Sequence, residues 1–171
     1  MSKASIKENL AVVRQQLSQA VTEAGRSPEE IKLIAVSKKK PAAMINEAIL
    51  ANHTAFGENM IQEAINKMSE FNQIDKIEWH MIGHLQKNKV KFCPGNFHWI
   101  HSIDSTELAK KLEERCATKQ QNINVLIQLN LSNEKEDLNK AVSHEVLIRD
   151  KKSSEQFISP NGFVVYKILN E

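Results

Sequence analysis

Hydrophobic positions along the chain follow two spacings, and their alternation sets the expected architecture. Leu10, Val13, Leu17, Val21 and Ala24 recur at helical spacing behind Ser5 and Glu8, which stand three apart as a capping box does. Gly25 supplies a stop, and Ser27-Pro28-Glu29-Glu30 reads as one capped turn. Short apolar runs then begin at Lys32 (KLIAVS), Thr54 (TAFGE), Ile77 (IEWHMIG), Trp99 (WIHSI) and Ile123 (INVLIQLNLS), so successive starts lie 22, 23, 22 and 24 residues apart. They predict strands at 32–37, 54–57, 77–82, 99–103 and 123–131. Helical patterns fill the intervals at 41–51, 59–71, 85–92 and 106–118, the last announced by Asp104 with Glu107 three residues on. Strands alternating with helices at this period are successive βα units, which require a parallel sheet with right-handed crossovers. Their richness in Ile, Val and Leu fits strands covered on both faces.

An open doubly wound sheet and a closed eight-stranded barrel share this signal. No GxGxxG or P-loop follows the first strand, and the short, even period favours a TIM-type barrel. Five strands are used by Asn130. The 41 residues that remain fall short of the roughly 70 that three more units would need. The expectation is an α/β chain with about five parallel units of an incomplete barrel in 1–132, followed by a divergent tail, 133–171. That tail is polar until GFVVYKIL, which is expected to form an edge strand or a patch over exposed core.

Composition narrows the functional classes. At 171 residues, 41% apolar and 26% charged, the chain can bury a hydrophobic core, and its net charge of +2 points to neither nucleic acid nor membrane. Cys93 and Cys116 are far apart and outside any CxxC spacing, as expected of free thiols in a reducing compartment. The charged N-terminus offers no signal-peptide core, and no run approaches the length of a membrane span. A cytoplasmic location follows as the expectation.

In parallel barrels and open parallel sheets alike, chemistry sits at the carboxyl ends of the strands. Those ends here are Lys38–Lys40, Gly57-Glu58-Asn59, Gly83-His84, Ser102–Asp104 and Asn130–Ser132. Strand alternation groups Ile34, Val36 and Lys38 on one side and Ala35, Ser37 and Lys39 on the other, with Lys40 in the turn before Pro41. A partly desolvated lysine at such a mouth has a lowered pKa and can attack an aldehyde. Three solvated lysines are the plainer alternative, and the three letters alone leave both open. His80 with His84, and His98 with His101, lack a cysteine or carboxylate to complete a metal set. No serine occupies a GxSxG elbow. The basic LQKNKVK stretch, 85–91, reads as a solvated helix face.

In order and at matching spacing, IKLIAVSKKKP, FGENMIQEAINK, IEWHMIGHLQKNKVK, IHSID and NVLIQLNLS resemble the pyridoxal phosphate homeostasis proteins, the YggS/PROSC family. The resemblance covers about residues 5–132. It implies a fold type III barrel like the N-terminal domain of alanine racemase, and a protein that binds, buffers or delivers pyridoxal 5′-phosphate through a lysine Schiff base without established turnover. By position the Schiff-base lysine falls on Lys38. Asn59 becomes a pocket residue near the cofactor ring, and His80, Gly83 and Gln86 lie near the mouth.

After Ser132 the pattern departs. NEKEDLNK replaces the family's serine-, lysine- and glycine-containing stretch, and its SMGMS and VRIG segments, which hold the cofactor phosphate and approach the ring nitrogen, are absent from this chain. A chain cut short there is expected to hold the cofactor poorly and to associate through an uncovered sheet edge. Two other readings stay open. A racemase-like or decarboxylase-like enzyme would need a second acid/base residue on the opposite face of the ring, and a non-binding remnant would keep only a structural or association role.

Overall fold

The computed structural model describes residues 5–71 and 76–128, with the strand backbones at 156–158 and 164–166. Helix α1, Ile6–Glu23, leads through a 3-10 turn, Pro28–Glu30, into strand β1, Ala35–Val36. Then follow α2 (Ala42–Leu50), β2 (Ala55–Glu58), α3 (Ile61–Met68) and β3 (Glu78–Met81). A 3-10 helix (Lys87–Phe92), β4 (Trp99–Ile103), α4 (Thr106–Lys119) and β5 (Asn124–Ile127) continue the alternation. The five strands are hydrogen-bonded in chain order, and the pairs β1–β2 and β4–β5 are parallel. A doubly wound sheet reverses its strand order at a switch point, whereas a barrel's units follow one another. Order β1-β2-β3-β4-β5 therefore separates the two architectures in favour of successive barrel units.

The chain divides into two compact units, Met1–His80 and Met81–Glu171. In the first, the capping box of α1 forms as its sequence requires, with Ser5 N–H donating to Glu8 Oε2 at 2.8 Å and Glu8 N–H to Ser5 Oγ at 3.2 Å. Gly25 (φ 63) closes the helix: its N–H donates to Thr22 O while Arg26 N–H donates to Val21 O, the paired bonds of a Schellman motif. The expected apolar stripe of α1 is only partly used. Val21 alone is buried, and Val13 is exposed. The helix is held instead by a polar clasp, in which the Arg14 guanidinium donates to Ala51 O and Asn52 O, both at 2.9 Å, at the negative end of α2. The core of this unit packs Phe56 against Trp79 (ring centroids 5.9 Å) and Trp79 against Phe71 (6.2 Å), with Ile45, Ala64 and Met68 buried around them.

In the second unit Met81, Leu85, Val90, Cys93, Ile100, Ile103, Leu108 and Leu112 are buried. Several expected boundaries shift. The pattern at 85–92 forms a 3-10 helix over Lys87–Phe92, and α4 is capped by Ser105, whose Oγ accepts from Leu108 N–H, in place of Asp104. The first strand shortens from 32–37 to Ala35–Val36: 32–34 do not enter the strand, and at the other end the chain turns at Lys38. Of the fifth, 124–127 is strand, and 129–131 lie outside the described residues, as does the expected domain boundary at 132/133. In the tail, Val164–Tyr166 (β7) pairs antiparallel with Gln156–Ile158 (β6) in a two-stranded sheet of its own, where the sequence suggested a single edge strand or a patch.

Candidate functional site

β1 and β2 run side by side with Ala35 opposite Phe56 and Val36 opposite Gly57. Ser37 N–H donates to Gly57 O at 2.9 Å, which carries the register one step further, so Ser37 and Glu58 share a row. Beyond that row the chain opens at Lys38 on one side and Asn59 on the other. Lys38 is exposed, Asn59 half-buried, and both emerge at the carboxyl end of the pair. Glu78 N–H donates to Thr54 O at 2.7 Å, setting β3 parallel beside β2 and placing His80 next to Gly57. Phe56 and Trp79, one residue earlier on each strand, meet on the opposite face. Lys38 and Asn59 thus follow the carboxyl ends of neighbouring strands, while His80 is buried within β3, its Nε2 3.6 Å from Glu78 Oε1.

Lys38 itself forms no hydrogen bond or ion pair among the described residues, but both of its neighbours are held. Lys40 N–H donates to Ser37 O at 3.0 Å and closes a turn with Lys38 and Lys39 at its centre. Lys39 sits in the left-handed region (φ 59), where a non-glycine residue costs about 1–2 kcal/mol. Its N–H donates to Glu63 Oε1, which offsets that cost.

Beneath the turn lies a buried ionic network. Lys67 Nζ, on α3, donates to Ser37 O (2.7 Å), Glu58 Oε1 (2.8 Å) and Glu63 Oε1 (2.7 Å), so its three protons meet three oxygens. Ser37 Oγ donates to Glu58 Oε1 at 2.6 Å. The Lys67 and Glu58 side chains are 8% and 0% exposed. Burial works against the Lys67 charge, yet the hydrogen bonds and charges of Glu58 and Glu63 outweigh it and hold the ammonium above its usual range. The Lys67 hydrogen bond, with that of the Lys39 amide, draws the Glu63 carboxyl below the usual carboxylate range. Glu58 Oε2 is buried with no hydrogen-bond partner among the described residues.

Gly83 and Gln86, the other expected site residues, belong to the second unit. Gly83 is half-buried, and its carbonyl accepts from Ser102 Oγ at 2.7 Å. Gln86 is exposed, precedes the 3-10 helix, and accepts from Lys89 N–H at 2.9 Å. Cys93 and Cys116 are free, and burial pushes the Cys93 thiol up to about 12, which leaves it unreactive at neutral pH. A shallow depression of about 310 Å³ lined by Lys32, Leu33, His53, Thr54 and Glu78 opens at the amino ends of the strands, away from Lys38. Among the described residues no group of three His, Cys, Asp or Glu side chains is placed to hold a metal, and no helix is long and apolar enough to cross a membrane.

Ser37, Glu58, Glu63 and Lys67 were not among the expected site residues. Glu63 and Lys67 stand four apart in the favourable order for a helix, a pattern that ordinarily marks a solvated pair. Glu58 stood among the polar strand ends, but nothing in the sequence marked it as the buried member, which needs a cation.

No family model matches the chain. Over 131 residues it is 47% identical to the curated pyridoxal phosphate homeostasis protein of Escherichia coli strain K12, covering 75% of this chain and 56% of that protein. The protein of the same name from Vibrio alginolyticus is 40% identical over 133 residues, covering 76% of this chain and 57% of its own length. PipY of Synechococcus elongatus PCC7942, solved with pyridoxal phosphate bound, is 38% identical, with a TM-score of 0.66 over 74% of this chain and 55% of PipY. An unknown protein of Bifidobacterium adolescentis gives a TM-score of 0.69 at 28% identity, covering 76% of this chain and 56% of the other. The chain spans a little over half the length of the curated relatives it matches. The matched length agrees with the stretch, 5–132, that carries the motifs.

Proposed function

We propose, from the chain's membership of the pyridoxal phosphate homeostasis family, that it binds pyridoxal 5′-phosphate at the rim formed by β1 and β2, with Lys38 as the amine that takes the aldehyde. The observation that carries this reading is the state of Lys38. All three lysines are exposed, so burial does not single one out. Lys38 is set apart by its place on a turn after β1, with no hydrogen bond or ion pair of its own among the described residues and with both flanking residues pinned.

When bound, pyridoxal phosphate supplies an aldehyde that condenses with a primary amine and releases water. The residues present fit that need. Lys38 offers the amine, and Lys39 and Lys40 add positive charge for an anionic ligand. Asn59 brings a half-buried amide to the next strand end, suited to orienting a polar ring. His80 is buried within β3, and the family resemblance suggests it as a further contact. Gly83 and Gln86 are retained as candidate contacts on the family resemblance. The role is cofactor binding and intracellular homeostasis, with no residue assigned to turnover.

The test is borohydride reduction of the chain incubated with pyridoxal phosphate, read by intact mass. The expected gain of one cofactor persists in Lys39→Ala and Lys40→Ala and disappears in Lys38→Ala. An undiminished gain in Lys38→Ala would refute the assignment.

A further inference from the structure

We infer that Lys67 is a positioning residue for Lys38: its buried ammonium ties down Ser37 directly and Lys39 through Glu63, and so fixes the direction in which Lys38 leaves the sheet. What Lys38 does with that direction rests on the binding reading above. The positioning itself rests on the geometry of the turn.

Four contacts bracket Lys38. On its amino side, Ser37 O accepts from Lys67 Nζ at 2.7 Å and Ser37 Oγ donates to Glu58 Oε1 at 2.6 Å. On its carboxyl side, Lys39 N–H donates to Glu63 Oε1, and Lys40 N–H returns to Ser37 O at 3.0 Å. Lys67 is common to the set, because both carboxylate oxygens that do this work are also bound to its Nζ, at 2.8 and 2.7 Å. Without that cation, Glu58 and Glu63 would repel each other across the space it fills, and Ser37 O would lose its charged donor. Lys39 would then have less to hold it at a φ of 59.

A buried ion pair of this kind is a poor source of stability compared with apolar packing, which leaves orientation as the reason to keep one under an exposed lysine. Three lysines in a row sharpen the point. Lys38, Lys39 and Lys40 are all exposed and carry the same amine, so chemistry cannot choose among them. The backbone of the turn can.

Two variants test this on the full chain. Lys67→Met removes the cation. Because it strands Glu58, Glu63→Ala is the second variant, which cuts the tie to Lys39 at a side chain 26% exposed. Each chain is incubated with excess pyridoxal phosphate, reduced with borohydride, and digested with a protease that spares lysine. The label on Lys38 is then compared with that on Lys39 and Lys40. The expected result is a Lys38 preference in the parent chain that falls about tenfold in either variant. Amide hydrogen exchange at Lys39 and Lys40 in the cofactor-free chain should quicken in parallel. An unchanged label ratio with unchanged exchange in folded Glu63→Ala would overturn the inference. A parent chain that places no label on Lys38 would sink the binding reading instead. The exchange rates, which need no cofactor, would then decide the positioning role alone.

Discussion

The two units both carry lysine, glutamate and histidine on their strand ends and on the helices that follow, and put them to different use. In the first, Lys67 and Glu58 are sealed under the turn that follows β1. In the second, Lys87 pairs with Glu107 at side chains 50% and 71% exposed, and His84 Nδ1 stands 3.5 Å from Asp104 Oδ2 with both in water. Exposed pairs contribute little, because water screens the attraction and ordering two long side chains costs entropy. A buried pair has already lost its hydration, so each partner depends on the other and on the geometry between them. Charge near a strand end therefore says little until burial is known.

The largest expected effect follows from that dependence. Lys67→Met leaves the buried Glu58 carboxylate without its cation and should destabilise the first unit by about 3–5 kcal/mol, measured by urea denaturation. Adding Glu58→Gln should recover a large part of the loss, since the stranded charge is gone. Simple additivity of the two changes would break the contrast drawn between the units.

Acidification should have a smaller effect. His53 is buried, its Nε2 lies 2.8 Å from Ala55 O, and its ring meets Phe56 edge-on at 5.3 Å. Burial pushes its pKa below the usual 6.5, and burial does the same to His101 in the second unit. With the folded pKa depressed, the unfolded chain binds more protons, so stability is full above 6.5 and falls as the pH drops from there toward the lowered folded values. His53→Gln should flatten part of that slope in urea midpoints taken across the window. A slope unchanged by the substitution would remove His53 from the account.

The smallest effect is expected at the exposed pairs. Lys87→Ala and His84→Ala should leave the unfolding midpoint where it is, and a shift approaching that of Lys67→Met would erase the difference between the two regions.

The strand rhythm was legible because period and composition report burial on both faces, and the 99–103 strand emerged at its expected limits as Trp99–Ile103. Capping of α1 was legible for a local reason: Ser5 and Glu8 satisfy each other within one turn. The start of β1 was not: KLI continues the apolar run, but 32–34 lie outside the strand. Its end came within one residue, Ser37 being hydrogen-bonded to Glu58, twenty-one residues away, where the chain turns. The cap of α4 went to Ser105 because a hydroxyl one residue nearer the helix reaches Leu108 N–H. At the site, the spacing of the apolar runs was enough to put Lys38 and Asn59 just past neighbouring strand ends, since register sets consecutive strands side by side. The network beneath them could not, because Glu63 and Lys67 spell a surface pair unless the tertiary position of Glu58 is known.

The central claim is that Lys38, and not merely the lysine-rich turn, is where this chain meets pyridoxal phosphate. A peptide map of the parent chain after incubation with the cofactor and borohydride reduction tests it most directly. Most of the label is expected on Lys38, with Lys39 and Lys40 minor. Label spread evenly over Lys38, Lys39, Lys40 and other exposed lysines such as Lys87 would contradict it.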